Sequence, residues 1–70
     1  MSATRKELLS LLAELSEADS ELRLGQLIAN LATLAQGVKA EAVWDAEDDE
    51  LLIAAGRLLG HYQARSANVA

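Results

Sequence analysis

Apolar residues recur along most of this chain at the spacing of an α-helix. Leu8, Leu11, Leu12 and Leu15 stand at i, i+3, i+4 and i+7, so they share one face of a helix, and Leu9 widens the stripe. Lys6, Ser10, Glu14 and Glu17 fall on the other side. Thr4 and Glu7 match the S/T-x-x-E capping box, in which each side chain satisfies a free N–H of the first turn. The pattern predicts a first helix over about residues 5–15. A helix of this length does not persist alone in water, so it must dock on another element.

A second stripe, Leu24, Leu27, Ile28, Leu31, Leu34 and Ala35, is the strongest in the sequence. It predicts a helix over residues 21–36. Asp19 or Ser20 would be the N-cap, and Gly37 would take the left-handed position just past the end. Gly25, Ala29 and Ala32 lie beside the stripe, a row of small side chains against which another helix could pack closely. Gly25 costs about 1 kcal/mol relative to alanine inside a helix, which points to a packing reason for it. The short link at Ser16–Ser20 favours an antiparallel hairpin of the first two helices. Gln26 and Asn30, at the stripe's edge, suit either backbone groups of the segment after Gly37 or solvent.

The third stripe is Leu51, Leu52, Ala55, Leu58, Leu59 and Tyr62. It predicts a helix over residues 46–65 with Asp45 as N-cap and a frayed tail from Ser66 to Ala70. Between the second and third helices, Val38, Val43 and Trp44 are apolar and are expected to fold back onto the bundle. Trp44 would reach the second helix or another subunit. Ile53, Gly56 and Gly60 make the far side of the third helix smoother and more apolar than solvent requires. Gly56 and Gly60 also have G-x-x-x-G spacing, which marks close helix contact in membranes and is a weak signal elsewhere.

Composition reinforces the helical reading. There are 14 leucines and 14 alanines against two isoleucines, three valines and no phenylalanine or proline. With 70 residues the chain makes a single all-α domain, a small three-helix bundle. One core at this size rarely supplies more than about 3–5 kcal/mol. No cysteine is present, so disulfides and thiolate metal sites cannot add to it. Helix packing and self-association remain, and a homodimer or higher homo-oligomer is expected. The interface residues indicated are Val43, Trp44, Ile53, Gly56 and Gly60.

Charge narrows the partners. The net charge of −5 opposes binding to nucleic-acid phosphates or to an anionic membrane, both of which call for clustered Lys and Arg. A helix-turn-helix reading also fails: the second connection is too long, and the third helix opens with carboxylates. No apolar run approaches the roughly 18–20 residues of a membrane span. Arg5 and Lys6 precede leucines as in a signal peptide, but Glu7, Ser10 and Glu14 interrupt that run, so a cytoplasmic protein is expected.

Five carboxylates fall within residues 45–50: Asp45, Glu47, Asp48, Asp49 and Glu50. At a helix start they complement the partial positive charge of the first turn. Successive helical residues point in different directions, and the spacing does not match an EF-hand loop, so capping outweighs cation binding. The same run could instead meet a larger or basic protein. His61 has Arg57, Leu58, Ala64 and Arg65 as helical neighbours, none of which can activate it. No serine has a nucleophile's surroundings and no Gly-rich phosphate loop is present. The sequence therefore predicts no enzyme, cofactor or metal. It predicts a non-enzymatic interaction or assembly module, with a small acidic regulator, antitoxin- or inhibitor-like, as the alternative.

Arg23-Leu24-Gly25-Gln26-Leu27-Ile28-Ala29-Asn30-Leu31-Ala32, followed by Val43-Trp44-Asp45 and Glu47-Asp48-Asp49-Glu50-Leu51-Leu52, resembles a pattern in short uncharacterised bacterial proteins. The resemblance spans about half the chain. It implies a bacterial origin and brings no activity with it.

Overall fold

A computed structural model describes residues 2–67. The fold is all-α, with three long helices and one short one: α1, Ala3–Ala18; α2, Leu24–Gln36; α3, Ala42–Asp45; and α4, Asp48–Ala67. Helix α4 is the spine. Both α1 and α2 pack along it, and α3 packs on α2.

The direction of each helix follows from its end contacts. Near the start of α1, the Arg5 guanidinium Nε meets Asp48 Oδ2 at 2.6 Å, at the start of α4. Just past the end of α1, Asp19 Oδ2 accepts a hydrogen bond from the Tyr62 hydroxyl at 3.2 Å, in the later half of α4. Both pairs are 43 positions apart, so α1 and α4 run parallel in one register. The same offset sets Leu8 level with Leu51, Leu11 with Ala54, Leu12 with Ala55 and Leu15 with Leu58. Large residues thus stand beside small ones at the middle levels, which lets the two helices approach. At the end of α2, Gln36 Nε2 donates to both oxygens of Glu50 at 2.8 Å, near the start of α4. Helix α2 therefore runs opposite to α4 and to α1, giving an up-down-up arrangement. The antiparallel relation of the first two helices is as expected, but their main contacts are with α4 rather than with each other.

Several boundaries differ from the sequence pattern. Helix α1 begins earlier, because the Ser2 hydroxyl, not that of Thr4, accepts from a first-turn amide, Arg5 N–H at 3.1 Å. It continues to Ala18, with no glycine or proline to stop it. Helix α2 begins at Leu24 rather than Glu21. Asp19 is committed to Tyr62, and its carbonyl accepts from Leu22 N–H at 3.2 Å in a turn. The side chain of Gln26 instead satisfies Arg23 N–H at 2.9 Å, which gives that residue a defined role. Gly37 closes α2 at φ 86°, a conformation that a side chain would strain, and its N–H donates to Thr33 O.

The third long helix starts at Asp48 rather than residue 46. Asp45 is not its N-cap but the last residue of α3. Ala46 N–H donates to Ala42 O, which closes that short turn before α4 opens. Helix α4 runs on to Ala67, so the expected tail is helical at Ser66 and Ala67; residues 68–70 lie outside the described residues.

The core is thin. Its buried members among the described residues are Leu8, Leu15, Leu27, Leu31, Ala32, Ala42, Ala54 and Ala55. Only four of these are large. Leu11, Leu12, Leu22, Leu51, Leu52, Leu58, Leu59 and Tyr62 pack around them half-buried. Leu24 and Leu34, expected in the α2 stripe, are 61% and 58% exposed. The apolar arc of α2 is wider than one helix can cover. Gly25 has no packing reason among the described residues, because a Cβ there would meet none of them within 4 Å.

Leu31→Asp should unfold the domain, since it places an unpaired carboxylate at one of the four large buried positions; a cooperative helical transition in urea would show that the site is not core. Partial burial, then the hydrogen bond to Asp19, raise the Tyr62 pKa above its usual 10.0. The folded state holds that proton more tightly than the unfolded chain does. Its contribution is therefore complete below pH 10.0 and disappears as pH rises through the higher folded value. Tyr62→Phe should cost about 0.5–1 kcal/mol at neutral pH and flatten stability above pH ~10, measured by urea melts across that range.

Candidate interaction surface

Helix α4 carries two faces. Leu51, Ala55, Leu58 and Tyr62 belong to the core side. Glu50, Ile53 and Arg57, spaced three and four residues apart, form a second stripe. Along that stripe lies an open groove of about 280 Å³, lined by Leu34 and Ala35 of α2 and by Glu50, Ile53, Ala54 and Arg57 of α4. Its floor is apolar and its rim holds one carboxylate and one guanidinium. The groove is a little smaller than the ~300–1,000 Å³ usual for small-molecule pockets, and no hydroxyl, thiol or imidazole lines it.

Glu50 organises one end. As N3 of α4 it reaches back to the N–H of Glu47, accepting at 2.9 Å, and so satisfies one of the free amides of the first turn. The same carboxylate takes both bonds from Gln36. It therefore caps α4 and ties the end of α2 to it in one contact.

The other carboxylates of the run are dispersed. Asp48 pairs with Arg5, Asp49 Oδ1 accepts from Glu50 N–H at 2.9 Å, and Asp45 faces Lys39 at 3.7 Å. Glu47 is exposed. No group of three or more His, Asp or Glu side chains able to hold a metal ion occurs among the described residues. His61 is exposed.

Ile53, Gly56 and Gly60 lie together on an exposed strip of α4. Ile53 is 59% exposed, and a Cβ at either glycine would meet nothing within 4 Å. Val43 and Trp44 stand on a different element. Helix α3 presses Ala42 into the molecule, at 3% exposure, and presents its larger neighbours outward. Trp44 is 91% exposed and Val38 95%, which overturns the expectation that these residues and Val43 fold back onto the bundle. Ala42, small enough to sit flush against α2, takes the buried position instead.

The sequence does not indicate Leu34 or Arg57 as surface partners, and it indicates Glu50 only as a member of the acidic run. The signal for Leu34 was the excess width of the α2 stripe. For Arg57 it was the i+4 spacing from Ile53.

No family model, curated protein or solved structure matches the chain. Among the described residues, no helix is long and apolar enough to cross a membrane.

Glu50→Ala should cost about 1–2 kcal/mol, because it removes the α4 cap and the Gln36 tie together. Thermal unfolding followed by circular dichroism measures this; an unchanged midpoint would mean that neither contact contributes.

Proposed function

We propose that this chain is a non-enzymatic protein-interaction module that self-associates through apolar surface. One observation supports this most directly: more large apolar side chains are exposed than are buried. Among the described residues, Leu9, Leu24, Leu34, Val38, Val43, Trp44 and Ile53 all lie at 45% exposure or more, against four buried leucines, Leu8, Leu15, Leu27 and Leu31. Scattered exposed apolar residues are ordinary, but contiguous ones mark contact sites. Leu34 and Ile53 are contiguous, since they line one groove. Tryptophan is also among the residues that most often anchor interfaces. A bundle with so few large buried side chains gains most from association, as expected at this size. Val43, Trp44, Ile53, Gly56 and Gly60 remain the proposed interface, with Leu34 added. A cytoplasmic setting suits this reading.

A second reading is a small acidic regulator that docks on a basic protein. It is favoured by the exposed Glu41, Asp45, Glu47 and Asp49 on both sides of Trp44 in the chain. Salt separates the two. Binding carried by exposed charges weakens steeply as the screening length falls below about 10 Å, whereas apolar assembly changes little.

Ile53→Glu should lower the weight-average mass measured by light scattering while leaving helicity unchanged, because Ile53 is exposed in the single chain. A wild-type protein that stays monomeric at every concentration would sink the self-association reading.

A further inference from the structure

We propose that the partner in the Leu34–Ile53 groove is Trp44 of a second copy, and that the exchange is reciprocal, giving a two-fold dimer. This rests on the self-association reading and gives it a specific contact. The chain offers an unmatched knob and an unmatched socket. Trp44 is a flat apolar side chain with one N–H donor, almost fully exposed. The groove has an apolar lining of Leu34, Ala35, Ile53 and Ala54, and a volume of about 280 Å³.

The rim matches an indole as well as the apolar lining does. Arg57 borders the groove and forms no ion pair among the described residues, so its guanidinium is available to lie over the ring. A carboxylate accepts about four hydrogen bonds. Glu50 receives two on Oε1 and one on Oε2 from within its own chain. The remaining position on Oε2 suits the indole N–H.

Charge limits where two copies can meet. Each copy carries a net −5, so two copies repel except where a cation meets an acidic segment. Trp44 is flanked by the exposed acids Glu41, Asp45 and Glu47. Seating it in the groove brings that segment to Arg57 of the other copy, beside a Glu50 carboxylate already bonded to Gln36 and to Glu47 N–H. Trp44 does not fill its own groove: α3 is anchored by Ala42, and the indole stands in solvent. A two-fold arrangement uses each knob and each socket once and closes the assembly at two copies.

Trp44 is the single tryptophan, so it reports on its own surroundings. The full chain is diluted across the dissociation range. Mass is followed by sedimentation equilibrium, and Trp44 emission and iodide quenching are recorded on the same samples. The proposal expects dimer formation and a blue shift with reduced quenching to share one concentration midpoint. Trp44→Ala and Arg57→Glu should each weaken the dimer by about tenfold or more with helicity retained. A dimer whose Trp44 stays red and fully quenchable overturns the knob-and-groove contact but leaves self-association standing. A protein that remains monomeric overturns both. A blue-shifted Trp44 at monomer mass means that its own chain covers it and also overturns the contact.

Discussion

The leucine stripe of α1 lying parallel along α4 is the contact on which the rest of the molecule depends. Parallel packing of two helices in one short chain demands a return element between them, and α2 supplies it by running the other way. The register of α1 on α4 is held at both ends, by Arg5 with Asp48 and by Tyr62 with Asp19. Both bonds are partly or fully exposed and individually modest. The larger contribution comes from the levels between them, where Leu8 and Leu15 are buried and Ala54 and Ala55 give way to let the helices close. With α4 in this position, α2 can cover only one side of it, and a strip on α4's outer side is left open.

That open strip follows from geometry and chain length together. A chain of 70 residues without disulfides has three long helices with which to enclose its apolar surface. Two of them lie along the third, so their outer flanks stay uncovered. The molecule measures 39 × 27 × 18 Å, flattened rather than round, which raises the surface left outside. Leu34 and Ile53 are therefore exposed because no element remains to cover them. Trp44 has a different origin. The turn from α2 to α4 is made by α3, and its one buried side chain is Ala42. The valine and the tryptophan beside it point out.

Much of the fold was legible in the sequence because the leucine spacing carries it. The three stripes locate the three long helices, and Gly37 marks the end of α2 as its position suggests. Helix starts were harder to place. Ser2 and Thr4, or Asp19 and Arg23, compete locally for the same role, and tertiary bonds decide: Asp19 is drawn to Tyr62, 43 positions away. The acidic run marks the start of the last helix only to within two residues, because Asp45 belongs to α3 and Glu50 caps α4 by reaching backward. Ile53, Gly56 and Gly60 could be read as a second face directly from helical spacing. Trp44 could not be placed, since local pattern does not say whether a neighbour arrives to cover an apolar residue. The groove joins residues from two helices, so no single stretch of sequence displays it.

The parallel register of α1 on α4 is tested most directly by methyl–methyl nuclear Overhauser effects in selectively labelled protein. The account predicts cross-peaks between Leu8 and Leu51 and between Leu15 and Leu58. Cross-peaks between Leu8 and Leu58 together with Leu15 and Leu51 would mean that α1 runs the other way, and would contradict it.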